Sequence, residues 1–162
     1  MRASFAFREF LRALLEDIFL LLVGERKECL DLSSFPFPGE VKTIKRMAEA
    51  FFDCEACSAY LYPVYPCALL FAIRSAERGR KGFEFGVVAK KDTDLKTQAE
   101  WACATIKKNF ERFRESGEED FIAFLGKRWA PIGAENDPKG LNKFWVDNVR
   151  YFYNLFRKGE ER

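Results

Sequence analysis

The stretch 5–23, which begins at Phe5 and ends at Val23, places apolar residues at Phe7, Phe10, Leu11, Leu14, Leu15, Ile18, Phe19, Leu21 and Leu22, with Arg8, Glu9, Arg12, Glu16 and Asp17 between them. Spacings of three and four residues are the period of an amphipathic helix. Its longest uncharged run, 18–24, falls far short of the roughly 18 residues a bilayer span needs. The pattern predicts a helix packed on the core, or one that docks on a partner or a membrane surface.

Ser33-Ser34-Phe35-Pro36-Phe37-Pro38-Gly39 follows, a loop by its two closely spaced prolines and the best linker candidate in the chain. Val41, Ile44, Met47, Ala48, Phe51 and Phe52 recur helically over 40–52. The segment 60–66 mixes Tyr60, Tyr62 and Tyr65 with Pro63 and Pro66 and reads as irregular. A helix over 67–77 comes next, with Pro66 before its start and Gly79 just past its end. Gly79, Gly82 and Gly86 then punctuate Phe83, Phe85, Val87 and Val88, which predicts an extended arm or short hairpin.

Asp94 is the expected N-cap of a long helix through Trp101, Ala104, Ile106 and Phe110 to about Phe113, closed by Ser116-Gly117. A further helix is expected over 118–129, a turn-rich loop over 130–140, and a last helix over 142–156 with Phe144, Trp145, Val149, Phe152 and Phe156 as its stripe. The sum is an all-α or α-dominated domain, with at most a short hairpin. It divides into an N-terminal helix and Pro-rich loop at 1–38, packed on or appended to a domain at 39–162.

Composition narrows the chemistry. The chain has 162 residues, 48% of them hydrophobic and 18 of them Phe, enough to bury a single core. With 27 Lys and Arg against 25 Asp and Glu, no nucleic-acid-binding surface is expected; Lys107, Lys108, Arg112 and Arg114 alternate with Glu111 and Glu115 as a salt-bridged face. No histidine is present, which excludes Ser-His-Asp and Cys-His pairs and histidine-bound zinc. Acid-base work falls to Glu, Asp, Lys, Tyr or Cys.

Five cysteines, Cys29, Cys54, Cys57, Cys67 and Cys103, are an odd number, so a fully paired framework is not expected. No signal peptide is recognisable after Met1, which makes cytoplasmic synthesis with reduced thiols the default. A thermophilic source, towards which the low Gln and Met content leans, would weaken that default. Cys54-x-x-Cys57 with Cys67 lacks a second such pair for zinc, leaving disulfides or buried thiols as the alternatives. No metal and no cofactor is expected.

Glu77 is the sharpest candidate. A carboxyl group at the C-terminal end of a buried apolar helix is disfavoured as an anion by desolvation and by the helix's negative end, and both raise its pKa. Such a group can hold a proton near neutral pH and deliver it to a leaving oxygen. The alternative is a Glu77 that pairs with Arg74, Arg78 or Arg80.

Leu70-Phe71-Ala72-Ile73-Arg74-Ser75-Ala76-Glu77-Arg78-Gly79, followed by Gly82-Phe83-Glu84-Phe85-Gly86, resembles the catalytic helix and following arm of lysozyme-like muralytic domains of phage and bacteria. Arg128-Trp129-Ala130-Pro131, Glu135-Asn136-Asp137-Pro138 and Trp145-Val146-Asp147-Asn148-Val149 are similar to the aromatic-Ala pair, the Asn/Asp-rich loop and the terminal helix of glucosaminidase-type and transglycosylase-type members. The resemblance covers roughly 67–156. It departs in carrying Trp129 where many relatives have Tyr, and in lacking the Gly-Leu-Met-Gln run of lytic transglycosylases.

The resemblance implies a lysozyme-like fold and a peptidoglycan-degrading glycosidase of endolysin type. Glu77 would be the general acid on the β-1,4 glycan backbone. The second step depends on a second carboxylate: one about 5 Å away makes a retaining hydrolase, one about 6.5 to 9.5 Å away an inverting one, and none suits attack by the sugar's own hydroxyl. Glu84 on the Gly-flanked arm is the foremost candidate, followed by Asp92, Asp94 and Glu100. Trp129, Tyr62, Gln98 and Asn136 are the expected substrate contacts, with Tyr60 and Tyr65 behind them; an Asx turn within 135–137 is the structural alternative for that loop. The partner is then the peptidoglycan glycan strand, the protein a monomer that acts at the cell wall after release or from a virion. The rival is a non-enzymatic helical adaptor, in which Glu77 is paired with an arginine and no cleft surrounds it, whereas the enzyme has a groove with Glu77 at its floor.

Overall fold

The computed structural model describes residues 30–52, 64–88 and 93–157. The expected helix at 5–23, Tyr60, Tyr62, Asp92 and the Cys54-x-x-Cys57 pair lie outside the described residues. Within them the chain is all-α, with no strand among the described residues.

A 3-10 turn at Pro38–Glu40 leads into α1, Val41–Phe52, which buries Ile44, Met47, Ala48 and Phe52 on one face. α2, Pro66–Glu77, starts on a proline whose missing N–H no helical carbonyl needs. Every residue of α2 from Pro66 to Ser75 is buried, as expected for a helix apolar nearly all round. α3, Leu95–Ser116, begins where Asp94 accepts the Thr97 N–H at 2.7 Å and ends where Gly117 turns left-handed at φ 70°. α4, Phe121–Trp129, is capped by Asp120, whose carboxylate accepts the Ala123 N–H at 2.9 Å, so it starts later than the periodicity suggests. A 3-10 turn at Leu141–Phe144 precedes α5, Trp145–Phe156, which buries Trp145, Val149, Tyr153 and Phe156.

α2 is the centre, packed chiefly on α5 and also on α1 and α3; α1 lies mainly on α3, and α4 contacts α3 and α5. Phenylalanine fills the seams edge to face: Phe35 sits 4.9 Å from Phe71 and 5.9 Å from Phe156, and Phe113 sits 5.3 Å from Phe121 and 5.4 Å from Phe124. Phe35 belongs to the Pro-rich segment read as a linker candidate. It is buried in the core, so that segment is packed there, and just before it the Asp31 N–H donates to the Phe156 carbonyl at 3.1 Å.

The expected arm at 79–88 forms successive turns, not a hairpin. The Phe83 N–H donates to the Arg80 carbonyl at 2.8 Å and the Gly86 N–H to the Phe83 carbonyl at 3.0 Å. Cys67, in the first turn of α2, is disulfide-bonded, so the default of reduced thiols does not hold for it; Cys103 carries a buried thiol on α3. No helix among the described residues is long and apolar enough to cross a membrane.

Candidate functional site around Glu77

α2 stops at Glu77 because Arg78 takes the left-handed conformation, φ 48°, with its N–H on the Arg74 carbonyl at 3.3 Å. The chain doubles back at once. A Cβ on Gly79 would run into the Phe83 carbonyl, so only glycine permits this reversal. The turns carry Gly86, at φ 70°, against the Glu77 carboxyl group, where a side chain would collide with Oε2 and Cδ. The arm therefore lays bare backbone beside the carboxyl group.

Two indoles close the other side. Trp129 Nε1, at the end of α4, donates to Glu77 Oε1 at 2.9 Å, and Trp145 Nε1, at the start of α5, donates to the same oxygen at 2.8 Å. The rings stack 5.9 Å apart at 25°. Their convergence depends on a close approach of α4 and α5 at Gly126, where a Cβ would come within 3.2 Å of the Trp145 ring. Oε2 accepts no hydrogen bond from a described residue.

Burial raises the Glu77 pKa, and the bonds from Trp145 and Trp129 offset part of that rise without reversing it. Arginine does not intervene. Arg74 is held by Glu40, Nε to Oε2 at 2.6 Å and Nη2 to Oε1 at 2.8 Å, with its guanidinium 3.6 Å from the centre of the Phe37 ring. Arg78 and Arg80 are exposed, Arg80 lying over Phe83 at 5.2 Å. The pairing that the adaptor alternative requires is absent among the described residues. A half-buried carboxyl group whose pKa is raised by desolvation, with neutral donors on one oxygen, has the attributes of a general acid.

The other expected residues divide. Trp129 reaches the site, but with its N–H on Glu77 and one face on Trp145. Glu84 is only 4% exposed, and its Oε1 accepts the Gly82 N–H at 2.9 Å. Its carboxyl group folds back onto the arm instead of overhanging a cleft, because the glycine turn at Gly82, φ 85°, presents a backbone donor two residues away.

Gln98 has no exposed surface: its amide donates to the Val87 carbonyl and to Thr93 Oγ1, both at 2.9 Å, and its oxygen accepts the Phe85 N–H at 3.4 Å. It anchors the arm to α3 and has no face left for substrate. Asn136 is exposed in the loop before α5, while its neighbour Asp137 accepts the Leu141 and Asn142 N–H groups at 2.8 Å each, holding the loop to the 3-10 turn that follows it rather than forming an Asx turn within 135–137. Asp94 caps α3, and Glu100 lies 3.5 Å from Lys96.

Sequence reading missed Trp145, Gly86 and Gly126 as site residues. Trp145 stood in the apolar stripe of the last helix and in the segment that carries the resemblance, but nothing local told an indole that packs from one that also donates. No group of three or more metal-ligating side chains occurs among the described residues. A depression of about 300 Å3 lined by Val64, Asp120, Phe121, Arg150, Tyr153 and Asn154 lies at the far end of α4 from Trp129, with the Arg150 to Asp120 ion pair in its wall, and is not the Glu77 site. No family model, curated protein or solved structure matches the chain.

Proposed function

We propose that the protein is a peptidoglycan-degrading glycosidase that cleaves the β-1,4 glycan backbone with Glu77 as general acid. The observation that carries this reading is the Glu77 carboxyl group itself. It lies at the end of a buried helix, has its pKa raised by desolvation, takes two indole N–H bonds on one oxygen and leaves the other beside the bare backbone of Gly86. The resemblance of 67–156 to lysozyme-like muralytic domains supplies the substrate class, and the arrangement is consistent with it.

In this reading Glu77 protonates the glycosidic oxygen as the bond to the sugar breaks through an oxocarbenium-like state. The indole pair then stabilises the anion left behind, since hydrogen bonds to a carboxylate are stronger than those to the neutral acid. Among the described residues Glu84, Asp94 and Glu100 are engaged elsewhere, which favours a route that relies on one protein carboxyl group, with the sugar's own hydroxyl as nucleophile and its proton returned to the Glu77 anion.

Turbidity loss of purified peptidoglycan, wild type against Glu77→Gln, tests the reading. Lysis that disappears in the variant, with anhydro-sugar ends by mass spectrometry, is the expected result. Well-folded wild type that leaves several wall types intact refutes it.

A further inference from the structure

We infer that Trp129 and Trp145 are positioning residues that give the two oxygens of Glu77 separate tasks: Oε1 remains a permanent acceptor, and the transferable proton sits on Oε2, on the side lined by Gly86. The inference deepens the reading of Glu77 as an acid and rests on it for its catalytic meaning.

An indole N–H can only donate. Two of them at 2.9 and 2.8 Å occupy both acceptor directions of Oε1. A proton placed on Oε1 would face one of these donors and force an indole away, stranding the N–H of Trp145, a residue only 6% exposed. Oε2 accepts no hydrogen bond from a described residue, and glycine at position 86 is what lets the arm's backbone approach it without a side chain colliding. In the protonated acid Oε1 is the carbonyl oxygen and keeps both bonds; in the anion the same bonds strengthen. The clamp therefore persists through the proton transfer and holds the carboxyl plane fixed while Oε2 gives up its hydrogen.

The groups facing Glu77 are neutral: Trp129 from α4, Trp145 from α5 and the Gly86 backbone from the arm. The nearby charges are engaged elsewhere, Arg74 with Glu40, Arg128 over Phe124 at 4.1 Å, and Asp147 3.7 Å from Arg150; Arg78, next in the chain, is exposed.

Each of the three tryptophans gives one indole N–H resonance, so a pH titration followed by nitrogen-proton NMR reads the clamp without any substrate. The resonances of Trp129 and Trp145 are expected to move with one shared midpoint, to remain protected from solvent exchange on its acid side, and to lose the transition in Glu77→Gln, with Trp101 as the internal control. Glu77→Gln mimics the protonated acid and is expected to keep both indoles protected at every pH. Trp145→Phe removes one bond to the anion, so the Trp129 midpoint rises, proton affinity increasing roughly tenfold, and the alkaline limb of any glycan-cleavage profile moves the same way.

Loss of indole protection on protonation, or failure of the two resonances to titrate together, overturns the inference. Absent glycan cleavage with an intact shared titration overturns the proposed function and leaves the proton on Oε2.

Discussion

Replacing Gln98 by alanine removes the whole side-chain attachment between α3 and the arm that lines Glu77. The two bonds at 2.9 Å contribute about 1 kcal/mol each and the 3.4 Å bond less, so roughly 2 to 3 kcal/mol of hydrogen bonding is lost. Gln98 is fully buried, and the space left adds about 1 kcal/mol. The total of about 3 to 4 kcal/mol lowers the Tm of a domain of this size by roughly 6 to 15 °C. Urea denaturation measures the loss, and hydrogen exchange at the Phe85 and Gly86 amides locates it.

Because the arm carries Gly86 onto the carboxyl group, glycan cleavage is expected to fall although Glu77 and both indoles are untouched. Gln98→Glu sharpens the test. Its anion keeps an acceptor for Phe85 but sets a second oxygen against the Val87 carbonyl, so its folded-state pKa is raised. That variant approaches wild-type stability as pH falls and loses stability as pH rises through the raised value. A loss below about 1 kcal/mol in Gln98→Ala, with unchanged exchange in the arm, would refute the anchoring argument.

Three other outcomes are expected. Since burial raises the Glu77 pKa in the folded state, the proton's contribution to stability is complete below the unfolded value and is lost as pH rises through the folded one. Glu77→Gln therefore gains on wild type as pH rises from the unfolded value through the raised folded one, and a Tm difference that is flat with pH would contradict this. Glu40→Ala leaves the Arg74 charge buried and is expected to cost about 3 kcal/mol, the low end for a broken buried pair because the Glu40 side chain is 23% exposed. Adding Arg74→Met to it recovers most of the loss in a double-mutant cycle, and additive losses would disprove the pairing. Arg78→Gly relieves a left-handed non-glycine residue, and after the entropy of the added glycine a gain of about 0.5 to 1 kcal/mol is expected by chemical denaturation.

Local signals in the sequence went far for the helices. Apolar spacing, Asp94 before α3, Pro66 at the head of α2 and Gly117 after α3 each act within a few residues, and each operates in the structure where it was read. The position of Glu77 at the end of a buried helix was legible for the same reason. The arm was harder: Gly82 and Gly86 announced turns, but whether the apolar residues between them paired as a hairpin or coiled back depended on Gln98 of α3 and on Thr93, just before that helix, reaching across to it.

The roles of individual polar residues were not local at all. Gln98 and Glu84 carry side chains suited to substrate, yet tertiary packing enclosed both and gave their hydrogen bonds to backbone and, for Gln98, also to the Thr93 hydroxyl. Arg74, the basic residue nearest before Glu77 in the chain, was drawn away by Glu40, 34 positions earlier. Trp129 and Trp145 lie 52 and 68 positions after Glu77, and only the approach of α4 to α5 at Gly126 aims both indoles at one oxygen. Sequence alone determined that a carboxyl group would end a buried helix, because helix period and capping are short-range. The tertiary structure decided which donors meet that group, because a hydrogen bond needs atoms within about 3 Å and spacing along a chain does not specify that distance.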